Sequence, residues 1–314
     1  MAANIDTMTY FGETPWHGLG ETLTEQDTQD VEKVREKSGV IWNVNEKAVY
    51  TVDENVQAQV PGFKVLQRSD TGSTLSVVSD DYRVVQPETV FEFYKNFVDN
   101  HGFKMHTAGS LAGGKKIWAL AEVGKEFALK GNDKVGAYLL LATSYDRSMA
   151  TIAKFTSVRV VCQNTLNVSI DDGNRAIKVS HSAEFDKGQI TLDVEALARG
   201  FDKFHMESKA MSERIVSRDE VVKFFLDLYY PKVKVANEMG TRQRNTMDNL
   251  VNIFHKGKGQ IEAGQTAWGL LNAVTLHVDH EKGRNRDSAL NSAWFGAGEK
   301  LKDDAFKAAL KLVA

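Results

Sequence analysis

The sequence has little of what several protein classes require. Its 314 residues include one cysteine, Cys162, which excludes intramolecular disulfides and zinc sites built from several cysteines. No segment approaches the ~20 consecutive apolar residues of a membrane-spanning helix. The first twenty residues contain neither the basic segment nor the apolar core of a secretory signal. We therefore expect a soluble protein of a reducing cytoplasm.

Net charge is small as well: 39 basic and 42 acidic residues leave a formal net charge of only −3. It is unevenly distributed. Acidic residues dominate the first sixty positions, whereas bases outnumber acids after Pro61. The small total argues against a protein that binds nucleic acid over its whole surface, and it leaves room for a local basic surface in the middle of the chain.

The stretch from Lys104 to Ile170 contains the strongest local pattern. Glycines between Gly109 and Gly114 separate two alternating runs, which predicts a β-hairpin. The apolar run Val135 to Thr143 predicts a third strand, buried on both faces. Pro87 to Asn100 has a proline at the first helical position and helical spacing, so it predicts a preceding helix.

A closing helix is expected after Lys154. Its apolar residues recur at helical spacing, with Thr156 or Ser157 as the N-cap; they are Val158, Val161, Cys162, Thr165 and Leu166. The resulting order is helix, three strands, helix. Such an open sheet leaves a face or a rim free for a partner.

The remaining patterns complete the fold class. Thr28 to Ser38 predicts a short polar helix. Thr74 to Val85 predicts a strand, or a hairpin with its turn at Asp80-Asp81. Further strands are expected at Val40 to Val52, Phe63 to Arg68, Ala176 to His181 and Gln189 to Leu192. Helical periodicity covers Val194 to Ser217, Arg218 to Tyr230, Arg242 to Lys256, Thr266 to His280 and Leu301 to Val313. We expect an α+β protein with an acidic N-terminal arm and β layer (1–60), a central α+β unit around an antiparallel sheet (61–193) and a helical region (194–314).

Several motifs carry a resemblance to a known family. They include Trp16-His17-Gly18-Leu19-Gly20, the run Arg159 to Leu166, Trp268 to Thr275 with Val278-Asp279-His280, and Phe295-Gly296 with Leu301, Lys302 and Ala305. The chain resembles a phage and plasmid protein family of unknown function over nearly its whole length. This resemblance implies an origin in a mobile element and no particular activity.

A second resemblance concerns arrangement alone. The order helix, three strands, helix is similar to the core of ring-forming single-strand annealing proteins. That similarity implies a homo-oligomeric ring that binds single-stranded DNA in a basic groove, without a cofactor. The fitting residues here are Lys115 and Lys116 at the hairpin turn, Lys154 and Arg159 beside the closing helix, and Tyr145 with Arg147 as a base-stacking platform.

Four of these residues have an ordinary structural alternative. Lys115 and Lys116 fit a solvated turn, Arg159 fits an internal ion pair, and Tyr145 fits a core position. Cys162 fits a buried apolar stripe better than a nucleophile, since no histidine or acid stands at an activating spacing. A second basic set lies in the helical half, where a solvated face also explains it: Lys232, Lys234, Arg242, Arg244, Lys256 and Lys258.

The aromatic N-terminal arm, with Tyr10, Phe11, Trp16 and Leu19, is expected to bury these side chains against another surface. Either a neighbouring protomer or the core of the same chain meets that requirement.

We expect the first of three functions and keep the other two as alternatives. The first is a non-enzymatic, cytoplasmic single-stranded DNA binding or annealing protein of a phage or mobile element. The second is an interaction protein that inhibits a host factor through its acidic N-terminal region. The third is a metal enzyme built around His277, Asp279 and His280, although two helical histidines without a third ligand fit a polar patch better.

Overall fold

The computed structural model describes residues 5–12, 18–53, 56–130, 133–159, 164–167, 177–181, 187–233, 238–282 and 292–313. Within these ranges it describes the backbone alone for residues 159, 164–167, 177 and 187–199. Strands and helices both contribute extensively, which confirms the α+β class predicted from the sequence.

The chain forms two compact units. The first unit contains Met1–Gly124, Tyr138–Phe155 and Asn174–Ala196, and the second contains Lys125–Ala137, Thr156–Gly173 and Leu197–Ala314.

The strands are β1 (Ile5–Tyr10), β2 (Glu21–Thr22), β3 (Val44–Asp53), β4 (Val56–Arg68), β5 (Thr74–Ser79), β6 (Lys104–Leu111), β7 (Lys116–Leu129), β8 (Asp133–Ser144), β9 (Thr151–Arg159), β10 (Asn164–Asn167) and β11 (Ile177–Val179). The α-helices are α1 (Val31–Lys37), α2 (Pro87–His101), α3 (Lys187–Glu213), α4 (Arg218–Tyr229), α5 (Thr241–Lys256), α6 (Gln260–Ala263), α7 (Ala267–Leu276) and α8 (Ala297–Lys311). A 3-10 turn precedes α1 at Asp27–Gln29, and a π-helical segment follows α7 at His277–Glu281.

The larger sheet is mostly antiparallel. Its strands follow the order β2-β1-β6-β7-β8-β9-β10, and β11 also pairs with β9. The β6–β7 pair runs from Lys104 opposite Glu122 to Leu111 opposite Lys116, which confirms the predicted hairpin. The third strand is confirmed as β8.

Helix α2 packs against this sheet and is confirmed where the sequence predicted it. It begins with Pro87 and ends before Gly102, whose φ of 70° suits glycine. The buried hydroxyl of Tyr94 lies within 2.7 Å of the Ala119 carbonyl oxygen and 3.0 Å of the Leu139 carbonyl oxygen. These contacts join the helix to two strands of the sheet.

The N-terminal arm is a strand of the same sheet. β1 pairs antiparallel with β6, and Tyr10 is buried. The Phe11 N–H donates to the His106 carbonyl at 2.8 Å. Residues 5–11 of the arm therefore pack on their own chain, whereas Trp16 lies outside the described residues.

A second, three-stranded sheet follows the order β3-β4-β5. The predicted strands are confirmed, except that β5 ends at Ser79 instead of continuing to Val85. Helix α1 is confirmed and is followed by Gly39 at a φ of 68°.

The second unit is built around the buried helix α7. Thr266 caps its N-terminus by accepting the Gly269 N–H at 3.1 Å, and all ten of its residues are buried. The indole of Trp268 donates to the Asp133 carboxylate at 2.9 Å. The ring of Phe204 in α3 contacts the rings of Trp268 and Phe306, at centroid distances of 6.3 and 5.8 Å. The helical C-terminal region is thereby confirmed.

Two sequence predictions are wrong. The closing helix after Lys154 is replaced by β9 and β10, which pair from Arg159 opposite Asn164 to Thr156 opposite Asn167. Thr156 and Ser157 are strand residues and cap no helix, while Val161 and Cys162 lie outside the described residues. The strand expected at Gln189 to Leu192 is part of α3.

Strand β9 explains the first error. Every residue from Thr151 to Val158 is buried, so the strand has no polar face and no alternation to mark it. Apolar residues then occur by chance at helical spacing.

Among the described residues, no helix is long and apolar enough to cross a membrane.

Candidate nucleic-acid interface

The turn between β6 and β7 holds Lys115 and Lys116 at one end of the sheet. Three successive residues, Ala112 to Gly114, have φ angles of 56°, 74° and 85°. At Gly114 a Cβ atom would lie only 2.9 Å from Trp42, so a larger residue does not fit. The Gly113 N–H donates to the Asp6 carboxylate at 3.1 Å. This packing fixes the turn, and hence the positions from which both lysines project.

The loop between β8 and β9 lies directly against this turn, because the Tyr145 N–H donates to the Lys115 carbonyl at 2.8 Å. The loop is held internally as well. The Ser144 hydroxyl donates to the Met149 carbonyl at 2.8 Å, and the Asp146 carboxylate accepts the Ser148 N–H at 3.0 Å. Arg147 is exposed at the centre of this loop with a φ of 65°.

Lys115, Lys116 and Arg147, which the sequence analysis singled out separately, are therefore neighbours at one end of the sheet. Lys115 and Lys116 are half-buried at the turn. Within the described part of the chain, the side chains of Lys115 and Arg147 form no ion pair. Nearby Arg68 differs, since its guanidinium pairs with Asp70 at 2.8 Å and lies 4.5 Å from the centre of the Trp42 ring.

Tyr145 lies beneath the loop and is fully buried. Its ring meets Trp42 edge-on at 5.9 Å, and its hydroxyl donates to the Val85 carbonyl at 3.0 Å. Burial raises the pKa of Tyr145 well above its ordinary value. A ring without an exposed face has no surface for a base, so the structure supports the core alternative for this residue.

Lys154 and Arg159 do not join the group. Lys154 is 1% exposed in β9, where its side chain is out of reach of a phosphate in solvent. Arg159 ends the same strand, and its side chain lies outside the described residues. Because β9 continues where a helix was expected, the helix N-terminus that would have added to anion binding does not exist there.

Sequence reasoning missed two further residues that contact this loop, Tyr82 and His181, and a third, Arg83, that is joined to it through His181. The ring of His181 stacks on Tyr82, with centroids 4.4 Å apart and planes 19° apart. Its Nε2 donates to the Met149 carbonyl at 3.1 Å, while its own carbonyl accepts the Arg83 N–H at 2.5 Å. Arg83 is exposed, and its side chain forms no ion pair with the rest of the described chain.

The protonation of His181 follows from its surroundings. Burial lowers the pKa of His181 below its ordinary value, against the opposing effect of the backbone groups of Met149 and Arg83. The imidazole is therefore neutral near pH 7. The available positive charge comes from Arg83, Lys115 and Arg147. We call the group formed by Arg83, Lys115, Lys116, Arg147 and His181 the loop surface.

The predicted metal motif near the C-terminus, His277, Asp279 and His280, is not arranged as a metal site among the described residues. Asp279, in the π-helical segment, pairs with Lys302 at 2.7 Å, and both side chains are almost fully buried. His277 directs Nδ1 toward the Glu281 carboxylate at 3.4 Å. Across the part of the chain that the structure describes, no group of three His, Cys, Asp or Glu residues is arranged to hold a metal ion. A metal enzyme built on this motif gains no support.

The second basic set lies on the second unit. Five of its six residues are described and exposed; they are Lys232, Arg242, Arg244, Lys256 and Lys258. Lys234 lies outside the described residues. A solvated face accounts for their exposure.

Comparison with known proteins places the chain in one family. No curated protein and no solved structure matches the chain. A family model described as a domain of unknown function matches residues 74–294, a range that includes every residue of the loop surface. The chain therefore belongs to the DUF932 family.

Proposed function

We propose that this protein binds single-stranded nucleic acid, in the first place single-stranded DNA, through the loop surface. The observation that carries the proposal is the contact between Tyr145 N–H and the Lys115 carbonyl. It brings a lysine turn and an arginine loop, distant in sequence, to one end of one sheet. Arg83 and Arg147 are exposed and Lys115 is half-buried, and none of the three has an acidic partner among the described residues. Such cations attract phosphates at low cost, because no ion pair must first be broken.

The chemistry of the loop surface favours backbone contacts over base reading. Its three available cations, Arg83, Lys115 and Arg147, make phosphate contacts whose strength falls with salt. For a single strand, each phosphate contact contributes about −0.7 to the slope of log K against log salt, so three contacts give about −2. Affinity per protomer then drops about 20-fold between ~50 and ~200 mM salt.

Three contacts make a weak site, and assembly would strengthen it. We propose a homo-oligomer in which neighbouring loop surfaces engage the same strand, so that the effective concentration at the second site raises the overall affinity. This arrangement suits an annealing or recombination protein of a phage or mobile element that works without a cofactor. The closed ring stays a prediction.

The alternative function is inhibition of a host factor, and its binding surface would be the acidic residues of positions 1–60. Two of these, Glu21 and Asp27, each lie 3.1 Å from the Lys37 ammonium. Their charge is already partly satisfied within the chain, so we favour the loop surface.

Fluorescence anisotropy with a labelled oligothymidine tests the proposal. Arg147→Asn removes a charge at a position whose positive φ suits asparagine, and Lys115→Gln removes a second charge. We expect the double variant to bind at least tenfold more weakly at low salt. Lys307→Gln, an exposed lysine of α8, is the matched control and should bind like the wild type. Equal binding by the double variant and the control would reject the loop surface as the site.

A further inference from the structure

The β3–β4 hairpin extends beyond the three-stranded sheet that it belongs to. β5 pairs only with Phe63 to Gln67 of β4, whereas β3 and β4 continue pairing from Tyr50 opposite Gln59 to Asp53 opposite Val56. We call this outer, two-stranded part the hairpin arm. It exposes 55% of Tyr50 and 68% of both Val52 and Val56. A two-stranded hairpin by itself is only marginally stable in water, so pairing with a third strand would stabilise this arm.

The backbone groups on the outer edge of β3 are hydrogen-bonded at one end of the strand and unpaired, among the described residues, along the rest. At Val44 the side-chain amide of Gln86 satisfies both backbone groups, accepting the N–H at 2.9 Å and donating to the carbonyl at 3.0 Å. From Asn45 to Asp53, no described group outside β4 hydrogen-bonds the backbone of β3. Unpaired N–H and C=O groups along an edge form a template for another strand.

We propose that this edge pairs antiparallel with β3 of a second copy of the chain, around a two-fold axis at Tyr50. In an antiparallel pair, two residues that lie opposite each other either both hydrogen-bond across the pair or both do not. In a symmetric pair of identical strands, the two-fold axis therefore lies midway between the two copies of one residue. Centring on Tyr50 sets Lys47 opposite Asp53 of the second copy, twice in the dimer. It also sets Ala48 opposite Val52.

Charge selects this register over its neighbours. The side chains of Lys47 and Asp53 are exposed and form no ion pair with any described residue. A pair centred on Val49 sets Lys47 opposite Thr51, and one centred on Thr51 sets Asp53 opposite Val49. Only centring on Tyr50 matches unlike charges, and it also brings the two exposed tyrosines together. The strand is therefore complementary to itself, which favours a second copy over an unrelated partner.

This inference rests on the self-association included in the proposed function, for which it specifies the surface, and it requires no nucleic acid. A two-fold contact closes on itself and gives a dimer. A ring would need an additional, head-to-tail surface.

Sedimentation equilibrium of the full chain without nucleic acid tests the pairing. We expect the wild type to dimerise. Lys47→Asp sets aspartate against Asp53, and Asp53→Lys sets lysine against Lys47, so each variant alone should dissociate about tenfold more readily or worse. An equimolar mixture of the two variants restores unlike charges at both contacts and should dimerise like the wild type. Lys307→Asp, the same charge change on α8, should leave the wild-type association unchanged.

Three results would overturn the inference: a wild type that remains monomeric, single variants that associate like the wild type, or a mixture that fails to recover. If the wild type is monomeric, the exposed edge of β3 would have to pair with a different protein. Thermal unfolding of each variant checks that these exposed substitutions leave the fold intact. Oligothymidine binding, measured in parallel, separates this inference from the proposed function, because Lys47 and Asp53 lie outside the loop surface. A wild type that dimerises and does not bind oligothymidine would reject the loop surface as a DNA site and leave this inference intact.

Discussion

Replacing Tyr145 separates its structural role from a role in base stacking. The hydroxyl donates one hydrogen bond to the buried Val85 carbonyl, so Tyr145→Phe removes about 1 kcal/mol from the free energy of unfolding. Tyr145→Leu also removes the ring that meets Trp42 edge-on, and it should cost about 3 kcal/mol in total. Tyr230→Phe is the control, since the Tyr230 hydroxyl makes no hydrogen bond within the described chain. Urea unfolding measures all three.

The same variants then enter the oligothymidine assay under conditions where they are fully folded. Because the ring is inaccessible, we expect Tyr145→Leu to bind as the wild type does. A stacking platform would instead lose about 1–3 kcal/mol of binding free energy per base. Weaker binding by folded Tyr145→Leu, combined with unchanged stability, would refute the assignment of Tyr145 to the core.

Three further predictions concern stability. Burial lowers the pKa of His106 to about 4, below its value in the unfolded chain, so the folded state resists protonation. The free energy of unfolding should therefore be highest above pH ~6.5 and fall by up to about 3 kcal/mol toward pH ~4. The His106→Gln variant, unfolded at several pH values, should not show this decrease. Lys302→Met leaves the Asp279 carboxylate buried without its ammonium partner, so we expect a loss of about 3 kcal/mol in urea unfolding, largely recovered by adding Asp279→Leu. Deleting residues 1–10 removes β1 and exposes the edge of β6, so the thermal midpoint should fall by several degrees; an unchanged midpoint would contradict the packing of Tyr10.

Local patterns were sufficient for most of the fold. The β6–β7 hairpin was predictable because its glycine turn and its alternation lie within one short stretch. Helix α2 was predictable because Pro87 marks its start and apolar spacing marks its buried face. Strand β9 was not, because a strand buried on both faces carries no alternation, and its identity depends on pairing with β8, β10 and β11.

The candidate site shows the same limit. Lys115 and Arg147 were identified as basic residues at loops, but their proximity depends on the hydrogen bond between Tyr145 and Lys115. Arg83 and His181 lie far apart in sequence, and no local pattern joins them. The pairing of β11 with the start of β9 places His181 beside Met149, and the Arg83 N–H donates to the His181 carbonyl. Sequence patterns found individual charges, whereas the sheet determined which of them became neighbours.

The central claim is that the loop surface binds single-stranded DNA through its unpaired cations. The most direct test is a salt titration of oligothymidine binding by the wild type and by Arg147→Asn. We expect a wild-type slope of log K against log salt of about −2 per protomer, reduced in magnitude by about 0.7 in the variant. No binding by the wild type at ~50 mM salt, or an identical slope in both proteins, would contradict the account.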